Sequence, residues 1–122
     1  MKIAFMGTPN FAVPALEKIN EIFKIDTVFT QPPQKSKRGM KELISPIHEI
    51  SNKLNLNVRT PNHLNDELEF FKSKKFNLVV VAAYGQIIPD DFLKECLFIN
   101  IHASLLPSWR GAAPIQRSLM NK

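Results

Sequence analysis

The sequence predicts a doubly wound α/β fold built on a mostly parallel sheet, and three observations carry that expectation. Short apolar runs alternate with segments of helical periodicity four times along the chain. The run from Leu78 to Ala83 is apolar at every position, as in a strand covered on both faces by helices. At 122 residues, with 44% hydrophobic and 22% charged side chains, the chain has the composition of one ordinary globular domain with one core.

The elements follow in order. Lys2 to Met6 reads as a first strand and breaks at Gly7-Thr8-Pro9-Asn10. A helix follows, with Ala12, Leu16, Ile19 and Phe23 on one face, Asn10 as its expected N-cap and Pro14 in its first turn, where a missing N–H costs little. The turn contains neither G-x-G-x-x-G nor a P-loop, so a nucleotide cradle is not supported. Ile25 to Thr30 is the second strand. From Ser45, with Pro46 at its first position, a second helix presents Ile47, Ile50 and Leu54 on one face, and His48 is expected to face solvent. Leu56 to Thr60 is a short third strand. Asn65 to Lys75 is a third helix with Leu68 and Phe71 inward, acids early and lysines late, as the macrodipole favours. After Leu78–Ala83 come the loop Tyr84 to Pro89, a short helix around Asp91 to Glu95 and the strand Leu97 to Ala103.

Composition narrows the function classes. No apolar run approaches the ~18 residues of a membrane span, and Met1 leads directly into strand-like sequence, so a cytoplasmic protein without a membrane partner is expected. Cys96 is the single cysteine, which excludes an internal disulfide; it reads as a buried apolar residue, and no metal site is expected. The net charge of +5 fits an anionic partner. Between the second strand and second helix, the stretch Gln31 to Lys41 is long for a connection in such a unit and carries Lys35, Lys37, Arg38 and Lys41. It suits a solvated loop and phosphate-backbone contact equally.

The stretch Asn100 to Gln116 concentrates the chemistry. Asn100 and His102 alternate with Ile101 and Ala103, so the carboxamide and imidazole share one face at a strand end, while a new helix is expected to begin at Pro114. In a Rossmann-like, doubly wound sheet ligands sit beyond the carboxyl ends of the strands, near the reversal of winding. The loops beginning at Gly7, Tyr84 and Ser104 would therefore surround one crevice with His102. A carboxamide donor beside an imidazole can stabilise a developing oxyanion and move a proton.

The run Asn-Ile-His-Ala-Ser-Leu-Leu-Pro-Ser-Trp-Arg-Gly-Ala-Ala-Pro-Ile-Gln-Arg resembles the signature of the folate-dependent formyltransferases, in the form of those that act on methionyl-tRNA. Gly7-Thr8-Pro9-Asn10-Phe11, Thr30-Gln31-Pro32, Arg38-Gly39 and Ala83-Tyr84-Gly85-Gln86-Ile87-Ile88-Pro89 extend the likeness over the chain. The resemblance implies formyl transfer from 10-formyltetrahydrofolate to the amino group of initiator methionyl-tRNA, in translation initiation. It implies that Asn100 and His102 are catalytic. Ser104, Leu105, Leu106 and Pro107, with Gln86, Ile87 and Ile88, would contact the folate, and Arg38, assisted by Lys35, Lys37 and Lys41, the tRNA.

By the same resemblance, residues 1–122 correspond to the amino-terminal part of the catalytic domain. A third catalytic group, an aspartate that orients the histidine, is expected beyond Lys122, as is a carboxy-terminal tRNA-binding domain. The chain by itself is then expected to be inactive or nearly so, with the Leu97 strand as an open edge that invites pairing with a second chain. Two other functions fit the shared core: formyl transfer to a small amine such as glycinamide ribonucleotide or an amino sugar, and a non-catalytic module that binds folate or tRNA. The Trp109 to Gln116 run and the basic loop favour tRNA.

Overall fold

The computed structural model describes residues 1–35 and 41–102, and the backbone of 112–114. Strand β1 (Ile3–Gly7) leads through a 3-10 turn (Asn10–Ala12) into α1 (Val13–Phe23) and β2 (Ile25–Phe29). A two-residue antiparallel ribbon, β3 (Gln34–Lys35) with β4 (Glu42–Leu43), precedes α2 (Pro46–Lys53) and β5 (Asn57–Arg59). A 3-10 turn (Leu64–Glu67) then opens α3 (Leu68–Lys74), followed by β6 (Leu78–Ala82), α4 (Asp90–Leu93), β7 (Leu97–Ile101) and β8 (Ala112–Pro114).

The main sheet runs β5-β2-β1-β6-β7-β8, parallel throughout except for β8. Winding proceeds from β1 to β2 to β5, then returns to β6 on the other side of β1 and continues to β7. Helices of the first half and of the second lie on opposite faces, as crossovers of one hand require when the direction of winding reverses. The predicted doubly wound sheet is therefore present, with its reversal between β1 and β6.

Alternation along the strands splits the interior into two cores. Ile3, Phe5, Val28, Val80 and Ala82 join Leu16 of α1 and Ile47 of α2 on one face. Ala4, Met6, Phe29, Val79, Val81 and Phe98 join Phe71 and Phe92 on the other. Phe71 is 1% exposed and lies at the centre of a ring cluster, 4.8 Å from Phe92, 5.2 Å from Phe76 and 6.0 Å from Phe98 between centroids. Aromatic contacts of this kind add to the area they bury.

Several boundaries differ from the sequence expectations, each for a local reason. Asn10 does not cap α1: the chain enters through the 3-10 turn, closed by the Ala12 N–H donating to the Pro9 carbonyl, with no side-chain cap, although Pro14 does sit in the first turn. Phe23, expected on the inward face, is exposed at the end of α1, while Leu16 on the same helix is buried. The third helix begins as a 3-10 turn at Leu64. The expected strands shorten to Asn57–Arg59 and Leu97–Ile101. His48 is half-buried rather than exposed, and its Nδ1 is shielded without a hydrogen-bond partner among the described residues.

The largest departure concerns the last strand. Pro114 ends β8 instead of starting a helix. Ala112–Pro114 pairs antiparallel with Ile99–Ile101 and covers the carboxyl half of the edge that was expected to stand open. A proline suits this end position because it has no N–H to give to a ladder. Ser45 and Pro46 behave as predicted, with the Ser45 hydroxyl accepting the His48 backbone N–H at 3.0 Å.

Replacing Phe71 by Ala should lower the unfolding free energy by about 3–5 kcal/mol. Urea denaturation with unchanged m-value checks this.

Candidate active site at the carboxyl edge of the sheet

Where β1 and β6 lie side by side, the loops leaving their carboxyl ends meet, and Thr8 ties them together. Its hydroxyl donates to the Tyr84 carbonyl oxygen at 2.7 Å and accepts the Gln31 backbone N–H at 3.3 Å. Behind it the buried Thr30 hydroxyl is 2.7 Å from that of Ser45, so the start of α2 is fastened to the end of β2. The Ile47 N–H reaches the Thr8 carbonyl at 3.3 Å.

Two glutamines extend the ties to β5. Gln31 Nε2 donates to the Gly85 carbonyl at 3.0 Å, and Gln86 Nε2 donates to Gln31 Oε1 at 2.9 Å and to the Pro61 carbonyl at 3.0 Å. Gln86 Oε1 accepts the Leu64 N–H at 2.8 Å. The φ of +101° at position 85 favours glycine, and a Cβ there would lie 2.6 Å from Gln31 Nε2 and displace that amide.

A cavity of about 290 Å³ opens beside this network, between the strand ends and the β3–β4 ribbon. Thr8, Gln31 and Ser45 supply its polar wall, Pro32, Pro46 and Leu43 its apolar wall, with Gln34 and Lys35 on the ribbon. At the end of β7, Asn100 and His102 lie together, with Asn100 Nδ2 3.2 Å from His102 Nε2 and 3.4 Å from Nδ1. They share the sheet face of Phe98, while Ile101 packs against the opposite core. His102 is exposed, so its ring is open to proton exchange with solvent or a ligand.

The family described as Formyl transferase matches residues 1–121. The chain belongs to this formyl transferase family. Methionyl-tRNA formyltransferase of Pelagibacter ubique is 54% identical over 98% of the chain. The proteins of that name from Clostridium tetani and Paracoccus denitrificans are each 45% identical, over 99% and 98% of the chain. The chain spans about 41% of the length of these curated relatives.

Within the formyl transferase fold, the residues singled out in the sequence fall into four groups. Asn100 and His102 are brought into contact. Gln86, Ile87 and Ile88 occupy the β6 loop but face three ways: the Gln86 amide is taken up by the protein, Ile87 is 87% exposed, and Ile88 is buried in the core. Lys35 sits on β3 and lines the cavity, and Lys41 precedes β4 as an exposed residue. Ser104, Leu105, Leu106, Pro107, Lys37 and Arg38 lie outside the described residues.

Sequence reasoning missed the bracing role of Thr8, Gln31 and Ser45. The motifs Gly7-Thr8-Pro9 and Thr30-Gln31-Pro32 marked the places, but the bonds that link them span 15 to 76 positions.

The other ionisable groups near the strand ends are committed elsewhere. Arg59 donates through Nε and Nη2 to Glu67 and lies 3.7 Å over the Phe70 ring, and the Glu67 carboxylate holds its pKa above the ordinary value. Burial raises the Tyr84 phenol well above its usual range, with Glu67 adding to it; the hydroxyl points into the core, and only the Tyr84 carbonyl joins the network. Burial, then the Glu95 charge, pushes the Cys96 thiol up to about 11. Among the described residues there is no group of three or more His, Cys, Asp and Glu that could hold a metal, and no helix long and apolar enough to cross a membrane.

At pH 8 Cys96 is therefore almost entirely a neutral thiol. Its alkylation at pH 8 should run about a hundredfold slower than that of a free cysteine, as followed by mass spectrometry. Gly85→Ala should cost about 1–3 kcal/mol through backbone strain, read from the urea midpoint.

Proposed function

We propose that the chain provides the amino-terminal part of a catalytic domain that transfers a formyl group from 10-formyltetrahydrofolate to the amino group of initiator methionyl-tRNA. The observation that carries this reading is the contact between Asn100 and His102 at the carboxyl edge of a formyl transferase sheet. The names of the relatives support the acceptor, and the lysines around the ribbon suit its phosphates.

In this reading the methionyl amine attacks the formyl carbon. Asn100 has a second amide N–H beyond the one aimed at the His102 ring, and it donates to the formyl oxygen as negative charge develops there. His102 takes the proton that the attacking amine releases. The carbon–N10 bond then breaks, N10 of the folate gains a proton, and formyl-methionyl-tRNA and tetrahydrofolate leave. Exposed Ile87, with the Ser104 to Pro107 run, offers an apolar wall to the flat folate ring. Arg38, Lys35, Lys37 and Lys41 hold the acceptor strand.

The test joins residues 1–122 to the remaining sequence of a curated relative and assays formylation of methionyl-tRNA and of glycinamide ribonucleotide. Methionyl-tRNA should be the acceptor. The 122-residue chain alone, about 41% of the length of these relatives, should run at least about a thousandfold slower. Asn100→Ala should lower kcat by about 10²–10³. Arg38→Ala should raise the KM for tRNA and reduce the salt slope of binding by about 1, leaving the KM for the formyl donor unchanged. Formylation of the small amine and not of tRNA would contradict the acceptor assignment, and full activity in Asn100→Ala would contradict the site.

A further inference from the structure

We propose that Gln31 and Gln86 are positioning residues, a side-chain amide pair that holds the 83–88 loop in the shape that receives the formyl donor. This rests on the donor reading given above and deepens it, since sequence likeness made Gln86 a folate contact. Its bonds support a positioning role. Both N–H groups of Gln86 are used, one on Gln31 Oε1 and one on the Pro61 carbonyl, and its oxygen accepts the Leu64 N–H. The orientation of each amide is set by a backbone partner that can act in only one sense: Pro61 and Gly85 carbonyls accept, and the Leu64 N–H donates. To touch a ligand through its N–H groups, Gln86 would have to break one of these ties.

The loop itself needs holding. Ala83 and Gly85 both have left-handed backbones, with φ of 54° and 101°, and for Ala83 that conformation is strained. Two side chains from other strand ends restrain the carbonyls within it: Thr8 holds that of Tyr84, and Gln31 that of Gly85. Thr8 also fastens β1 to β2, so its loss would disturb more than the loop. Gln31 instead joins the loop by two bonds from one partly exposed side chain, which is where the shape of the loop can be changed alone. Ile88 anchors the loop in the core while Ile87 projects from it, so loss of the amide pair frees the wall and spares the anchor.

Gln31→Met keeps length and removes both bonds; Gln31→Glu keeps an acceptor for Gln86 Nε2 but puts a carboxylate against the Gly85 carbonyl. Gln34→Met, in the same cavity wall but without a hydrogen bond to the loop, is the control for exchange. In the 122-residue chain, amide hydrogen exchange at 83–88 should rise about tenfold in Gln31→Met, with Ile3 to Gly7 still protected and Gln34→Met unchanged. The dissociation constant of a non-reactive 10-formylfolate analogue, by titration calorimetry, should rise about tenfold in Gln31→Met and less in Gln31→Glu. In the joined protein the KM for the donor should rise and that for tRNA should not. An unchanged loop, a loss of protection that includes Ile3 to Gly7, or a loosened loop with unaltered affinity overturns the inference. If the parent chain binds the analogue and Gln31→Met binds it equally, only this inference fails; if the parent binds none, the donor reading fails and takes this inference with it.

Discussion

The parallel pairing of β1 with β6 is the constraint on which the rest depends. It joins two strands 75 residues apart at Ile3 and Leu78, and it places the turn after Gly7 beside the turn after Ala82. The approach is close enough that a Cβ on Gly7 would lie 2.8 Å from the Ala82 carbonyl. Because winding reverses across this pair, the helices do not close over the carboxyl ends, and the loops meet in a crevice. Thr8, Gln31 and Gln86 exist in their present bonding only because that pairing brings their backbones together.

The carboxyl edge of the sheet differs in character from one side to the other. Around Thr8, Thr30, Ser45 and the glutamines, most hydrogen-bonding capacity is spent within the protein, which makes this end rigid. At the end of β7, the Asn100–His102 contact is exposed and retains donors and acceptors for a ligand. A rigid frame beside an exposed polar pair is the division of labour that catalytic positioning calls for. The formyl-transfer reading gives each end a use, one for holding the donor wall and one for the charge that develops at the formyl oxygen.

Features that depend on local periodicity were legible in the sequence. The apolar Leu78 to Ala82 run declared a central strand, alternation put Asn100 and His102 on one face, and Ser45-Pro46 announced a capped helix. Features that depend on distant partners were not. Asn10 looked like a cap because its type favours caps, but the 3-10 turn satisfied the backbone without it. Pro114 looked like a helix start because proline favours that position, and the competing possibility of antiparallel pairing with Ile99 had no local mark. The three partners of the Gln86 amide lie 22 to 55 positions away and had no local mark either.

The central claim is that donor chemistry is gathered at the carboxyl edge around β6 and β7. Amide chemical shifts of the labelled chain, followed while a non-reactive 10-formylfolate analogue is added, test it most directly. The account predicts saturable shifts concentrated at Tyr84 to Ile88 and Asn100 to His102, with the opposite edge near Lys2 and Asn77 unmoved. Shifts centred on that opposite edge, or none at all, would contradict it.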